Sequence, residues 1–367
     1  MERDSTPKAK PHDRPQPASE KSALQAAFDA QRIALAPIIF QAARLLRDSG
    51  ILSALRNHRA GLTAEEIAGK VELSGYAALV LLEAGLAAEA VRREADRYFL
   101  TATGFYLLTD EATRINMDVV QECCYQAAYY LEDSLRRGAP VGLHEVFGDR
   151  ETIYPALPSF PEAARESWLR WDHYYSDAAF PDALPIVLEG EPRTLLDVGG
   201  NTGKWAMQCV AARDDITVTI LDLPEVVALA DENIRKHGLQ KRINTVGIDL
   251  LDGSKPFPRG FDAIWMSQFL VCFSEIEVAS LLERAAAAMD SGTKLYILDN
   301  FWDRQTFDIA AFCLQSFSLY FTFLANGRSR MYKASDIAEL VEAAGMRIDD
   351  ISDNLGVCTS LVTCSRP

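Results

Sequence analysis

The stretch Leu195-Leu196-Asp197-Val198-Gly199-Gly200-Asn201-Thr202-Gly203-Lys204-Trp205 decides the fold. Thr194–Val198 is apolar and short, as a buried strand is, and carries an acid near its end, Asp197. Gly199–Gly203 is too glycine-rich to continue a strand, and KWAMQCVAA then resumes at helical spacing. Strand, glycine turn, helix is the opening of a βαβ unit. Outward from it the pattern repeats. ITVTILDLP precedes EVVALADENIRKHG, INTVGIDLL follows, FDAIWMSQF precedes EIEVASLLERAAAAM, and KLYILDNF precedes DIAELVEAAG before the strand-like runs MRIDDIS and CTSLVTCS. Such alternation implies right-handed crossovers and a mostly parallel sheet with helices on both faces, from about residue 181 to 367.

The N-terminal part is different. Residues 1–20, with His12, are Pro-rich and nearly free of large apolar side chains, which predicts a disordered lead-in. Apolar residues from Leu24 to Leu55 recur at helical spacing and predict one or two amphipathic helices. Thr63 followed by Glu66 makes a capping box that starts a short helix at Ala64. A turn near Ser74-Gly75 leads into a second helix through Leu86, and Val91–Leu100 reads as a hairpin with a charged tip. Helix, turn, helix, ribbon over residues 21–112 is the plan of a winged helix. Residues 113–180 read as a helical connector that includes the aromatic segment SWLRWDHYYSD.

Composition narrows the function. The chain has 367 residues, 37 Lys+Arg against 52 Asp+Glu, and a formal net charge of −15. An acidic surface does not attract phosphates or anionic lipids. Between Val71 and Val91 there is no Lys or Arg, so the second helix of the winged module lacks what a DNA reader needs. No nucleic-acid partner is expected. No stretch is expected to reach the roughly 18–20 uncharged apolar residues of a membrane span. The N-terminus lacks the apolar core of a signal peptide. The seven cysteines contain no CxxC pair, so neither a metal site nor a disulfide framework is expected, and a cytoplasmic, reducing location is.

The ligand is read from three strand ends. Glycines at Gly199, Gly200 and Gly203 let a ligand approach the backbone at the carboxyl edge of the sheet. Asp222 ends the second strand of the α/β part, roughly 20 residues beyond the turn, where a carboxylate suits both ribose hydroxyls of an adenosyl ligand. Asp249 ends the third, where it suits an adenine amino group. Pyrophosphate binding prefers an acid-free turn beside a bare helix N-terminus. Asp197 would repel pyrophosphate but suits the cationic methionine end of S-adenosylmethionine. Gly203-Lys204 is followed by Trp205, so there is no P-loop.

At this point the chain resembles a known family. LLDVGGNTGKWA, TILDLPEVV, VGIDLLDGSKPFP, FDAIWMSQFLVCFSEIEVASLLERAAAAM and KLYILDNF are similar, in order and spacing, to the plant-type and antibiotic-pathway small-molecule O-methyltransferases, from about residue 30 to the end. The resemblance implies an α/β fold: a Rossmann-like class I methyltransferase domain behind an N-terminal all-α winged-helix domain that dimerises. It implies that Asp197, Gly199, Gly200 and Gly203 hold the methionine portion, Asp222 and Leu223 the ribose, and Asp249 and Leu250 the adenine. Ser267 and Gln268 would lie beside the cofactor. Trp171 and Tyr175 would line the acceptor pocket, walled further by Phe312, Phe317, Tyr320, Phe321 and Phe323, with Asn326 orienting a hydroxyl.

Two positions depart from the family pattern. Asn201 replaces a third glycine, tolerable where Asn adopts a left-handed conformation. Val271 stands where the family has its catalytic histidine, and valine takes no proton. His173 and then His144 are the candidate replacements, with Asp299 matching a family acid that orients the base; His58 and His237 are further removed. A missing base is survivable, since general-base help contributes about 10²–10⁴-fold and positioning alone roughly 7–11 kcal/mol. The expectation is a homodimeric S-adenosylmethionine-dependent methyltransferase acting on a small aromatic or polyketide-type acceptor. A phenolic or enolic oxygen leads, and an electron-rich ring or enol carbon comes next. A family member that binds the cofactor without turnover is the alternative from another class.

Overall fold

The computed structural model describes residues 21–367, so the expected lead-in and His12 lie outside the described residues. The chain divides into two compact units between Gln121 and Glu122.

In the N-terminal unit the apolar run expected as one or two helices forms three: Ala23–Ala34, Ala36–Asp48 and Ile51–Arg56. Pro37 sits in the first turn of the second, where its missing N–H costs nothing, and Gly50 at φ +86° breaks the chain before the third. The capping box forms as read. Glu66 N donates to Thr63 Oγ1 at 3.2 Å and Thr63 N donates to Glu66 Oε2 at 2.8 Å, opening the helix Ala64–Ala68. Ser74 caps the helix Gly75–Ala87. Strands β1 (Val91–Glu94) and β2 (Arg97–Leu100) make the hairpin, and Leu62 bridges to Tyr98 at its edge. Leu46, Ile51, Leu52, Ile67, Leu82 and Tyr98 form the core of this winged module. The first helix contributes no buried residue and leaves Leu24 and Ile33 exposed.

The C-terminal unit is built on a seven-stranded sheet of β3 (Thr194–Val198), β4 (Thr217–Asp222), β5 (Ile243–Gly247), β6 (Ala263–Ser267), β7 (Lys294–Asp299), β8 (Arg347–Leu355) and β9 (Thr359–Ser365). The order is β5-β4-β3-β6-β7-β9-β8, parallel except for β9, which runs antiparallel to both neighbours. The chain winds from β3 outward to β5, then returns to β6 on the other side, so the switch of direction falls between β3 and β6. In open α/β sheets that crevice receives the ligand. Apolar cores cover both faces, and Trp205 stacks on Trp265 with centroids 3.9 Å apart.

Most of the segment expected as a connector belongs to this unit. Trp168 Nε1 donates to Tyr320 Oη at 2.7 Å, and the backbone of Gly142 lies against the carbonyls of Ala127 and Phe323, where a Cβ would come within 2.6 Å of both. The expectation of no span-length apolar stretch is corrected by the segment Asp308–Ala325, whose 18 residues are long and apolar enough to cross a membrane. A third of it is buried in the protein. It packs its aromatic side chains against the helix Glu162–Ser176, which explains an apolar composition in a segment inserted between β7 and the last helix.

Candidate active site

The glycine turn takes the shape its residues allow. Gly199 has φ +74°, donates its N–H to Leu221 O at 2.8 Å, and a Cβ there would meet the Phe269 ring at 2.3 Å. Asn201 does adopt the left-handed conformation, at φ +50°, and Gly203 at φ +82° caps the helix Lys204–Ala212. The turn therefore approaches β4 and β6 closely enough to place backbone at the switch point.

Three acids lie at or just past the ends of β3, β4 and β5. Asp222 ends β4 almost fully buried. Its Oδ2 accepts from Asn201 N at 2.9 Å and its Oδ1 from Leu223 N at 2.8 Å, which ties the turn to the strand end. Desolvation raises its pKa and these two N–H donors hold it down. Asp197 is 1% exposed, and its Oδ2 has no hydrogen-bond partner among the described residues. Burial, then the neighbouring Asp222, push it up to about 8. Asp249 lies just past the end of β5, exposed, accepting from Leu251 N at 2.9 Å, with Leu250 buried beside it. An orphaned carboxylate oxygen under the turn and a second carboxylate at the next strand end fit a ligand with a cationic head and a diol.

At the end of β6, Ser267 Oγ is buried without a hydrogen-bond partner among the described residues, and Gln268 at φ +47° donates its Nε2 to Tyr175 O at 2.8 Å. That bond holds the C-terminal part of the helix Glu162–Ser176 against the strand ends. A second tie does the same. Lys204 Nζ lies 2.5 Å from Asp177 Oδ2 and 3.0 Å from His173 Nδ1, and His173 Nδ1 lies 3.3 Å from Asp177 Oδ2. The bond to Asp177 raises the His173 pKa. His173 is thus engaged by a lysine and an aspartate beside the glycine turn. His144 is elsewhere, with Nε2 2.9 Å from Arg150 O. His237 caps its helix exposed, as read, and His58 Nδ1 bonds Ala54 O at 2.7 Å in the N-terminal unit.

The side facing the helix Glu162–Ser176 is aromatic. Trp171 packs on Phe317 (5.0 Å), Tyr320 (5.3 Å) and Tyr175 (6.2 Å), and its Nε1 has no hydrogen-bond partner among the described residues. Phe321 and Phe323 are buried, but Phe312 is 67% exposed and walls nothing, because it lies on the outer face of its helix. Val271 is buried where a histidine was looked for, and its N–H bonds Asp299. Asp299 also accepts from Asn300 N at 2.8 Å, and burial raises it to about 7. Asn326 is fully engaged. Its Nδ2 donates to Cys272 O (2.9 Å) and Ser329 Oγ (2.8 Å), while its Oδ1 accepts from Arg328 N and Ser329 N.

Three residues not picked out as site candidates in the sequence stand here. Tyr154 Oη donates to Cys272 Sγ at 2.7 Å, and Asp172 projects from the aromatic helix. Nothing in the spacing links Tyr154 to Cys272. Asp172 could have been found, since positions 168, 171, 172 and 175 share one helical face.

This constellation is that of an S-adenosylmethionine-dependent methyltransferase. More narrowly, residues 28–98 match a Dimerisation2-like domain and residues 187–347 an O-methyltransferase domain. It is 26% identical over 294 residues to the L-tyrosine C(3)-methyltransferase of Streptomyces lavendulae, covering 79% of each chain. It is 28% identical over 247 residues to the N,N-dimethyltransferase OxyT of Streptomyces rimosus, covering 66% of this chain and 70% of that one. Among solved structures, the S-adenosylmethionine-dependent methyltransferase SibL superposes with a TM-score of 0.69 at 25% identity, over 92% of this chain and 99% of that one.

Proposed function

We propose that this enzyme methylates a small phenolic acceptor of secondary metabolism on the ring carbon beside its hydroxyl. The observation that carries the reading is the Gln268–Tyr175 bond, which holds the aromatic helix over the ends of β3 and β6, so that acceptor wall and methyl-donor site adjoin. S-adenosylmethionine supplies an activated methyl group. Asp197 takes its ammonium, Asp222 its ribose hydroxyls with Leu223 alongside, and Asp249 and Leu250 its adenine, while Gly199, Gly200 and Gly203 keep side chains out of the way. Ser267 and Gln268 border the methyl end. Trp171, Tyr175, Phe317 and Phe321 stack or enclose the acceptor ring, and Asn326 serves by holding the Cys272 loop. Carbon is favoured as acceptor atom by Val271, which removes the imidazole, and by the tyrosine C-methyltransferase among the relatives. Oxygen is the second reading, favoured by the family domain itself.

Ring-deuterated phenols, L-tyrosine included, separate the two. Carbon methylation adds one methyl and loses one ring deuterium in the product mass. Retention of every deuterium in a methylated product overturns the carbon reading, and absence of any methylated phenol overturns both.

The assembly belongs to the same proposal. The Dimerisation2-like domain and a first helix with no buried residue, exposing Leu24 (82%) and Ile33 (77%), support pairing with a second copy. Light scattering of an Ile33→Glu variant should report a monomer where the intact chain reports a dimer. All seven cysteines are free thiols, which supports a reducing, cytoplasmic setting.

A further inference from the structure

The inner face of the helix Glu162–Ser176 carries Trp168, Trp171, Asp172 and Tyr175, and Asp172 is the one acid among three aromatics. Among the described residues its carboxylate has no hydrogen-bond or ion-pair partner. The cations near it are committed elsewhere, since Lys204 and His173 both pair with Asp177. Asp177 itself acts on Asp172 as a like charge, and Tyr154, Tyr320 and the Cys272 thiol, each affected by the charge of Asp172, are neutral. The bond from Gln268 Nε2 to Tyr175 O, one turn further along the same helix, holds this part of the helix at the end of β6, beside the proposed cofactor site.

The carboxylate is not sealed in the core. Asp172 and Cys272 are only half-buried and Tyr154 keeps 38% of its surface accessible, yet loss of water is the leading influence on all three polar groups. A partly desolvated carboxylate without a protein partner is costly unless a ligand completes it.

We propose that Asp172 is the catalytic base of this enzyme, taking the hydrogen bond and then the proton of the acceptor's hydroxyl. The inference rests on the phenolic reading above. The hydroxyl proton passes to an Asp172 carboxylate oxygen, and the O–H pair moves into the ring. The ring carbon beside the oxygen takes the methyl, whose former bonding pair stays with sulfur. That carbon then releases its hydrogen as a proton to water, and Asp172 returns its proton to the oxygen, so that one proton is set free per methyl transferred. Burial holds Asp172 at about 6, so it is ionised at neutral pH and still basic enough to accept.

The test has a binding arm and a kinetic arm. The binding arm uses 4-nitrophenol on protein saturated with S-adenosylhomocysteine, read by the colour of the phenolate against pH. A carboxylate bonded to the hydroxyl keeps the dye protonated, so the bound dye titrates at higher pH than the free dye, and Asp172→Asn abolishes the shift. Identical titrations in the two proteins, or no calorimetric binding of the dye to protein that still binds S-adenosylhomocysteine, overturn the proposal. The kinetic arm expects Asp172→Asn to lower kcat about 10²–10⁴-fold, with loss of the acid limb near pH 6 and partial rescue by Asp172→Glu. An unchanged kcat, or an acid limb that persists, overturns it as well. Intact protein that fails to bind S-adenosylhomocysteine would defeat the methyl-donor reading instead, so the two failures are distinguishable.

Discussion

Tyr154 Oη and Cys272 Sγ are 2.7 Å apart although 118 positions separate them in the chain. The bond joins a short helix before the aromatic segment to the loop after β6, and Asn326 grips the same loop through Cys272 O. Two side chains remote in sequence thus fix the loop that carries Val271.

Tyr154→Phe removes that donor and leaves the ring. A typical hydrogen bond contributes about 1 kcal/mol net, which for a unit this size lowers the melting temperature by roughly 2–4 °C. Calorimetric scans of the two proteins check it. An unchanged melting temperature would mean the bond does not hold the loop.

Asp222→Ala should weaken S-adenosylhomocysteine binding at least about tenfold, that is about 1.4 kcal/mol, because it removes the carboxylate meant for the ribose and leaves Asn201 N and Leu223 N unpaired. Isothermal titration reads this directly. Equal affinity in the variant would remove Asp222 from the binding site.

Stability of the ligand-free protein should fall as pH rises. Burial raises the Asp197 pKa from 3.8 to about 8, so between those values the native state holds a proton that the unfolded chain has lost. The stability that the neutral form provides is intact below pH 3.8 and declines as pH rises to about 8, by an amount of the order of a few kcal/mol. Asp299, raised to about 7, adds in the same direction. Urea midpoints at pH 5 and pH 8 should differ, and Asp197→Asn should reduce the difference. A variant with the original slope would locate the effect elsewhere.

Gly199→Ala should destabilise by roughly 2 kcal/mol or more, since φ +74° is strained for alanine and its Cβ would sit 2.3 Å from the Phe269 ring. Gly138→Ala is the comparison, with φ +61° but no atom within 4 Å of the added Cβ. Equal losses in the two variants would mean that backbone strain alone, rather than contact with Phe269, sets the cost.

The α/β architecture was legible because its signals are local. The glycine turn, the acids at the ends of β3 and β4, the acid just past β5 and the Thr63–Glu66 capping box are each read within a few residues. The structure keeps them all, down to the left-handed Asn201. The three-way split of the first apolar run was missed although Pro37 and Gly50 are also local, since periodicity alone does not see a change of helix direction.

The acceptor side was legible only in composition. An aromatic segment announces a wall, but Phe312 points outward while Trp171 packs on Phe317, because helix phase against the sheet decides which face is covered. Which polar groups remain free is a still more distant property. Asn326 has every position of its amide occupied, while Asp172 has no hydrogen-bond or ion-pair partner among the described residues. Spacing along the chain encodes strands, turns and caps, since those bonds close between near neighbours. The satisfaction of a buried carboxylate or amide depends on groups brought from elsewhere in the chain, and packing alone delivers them.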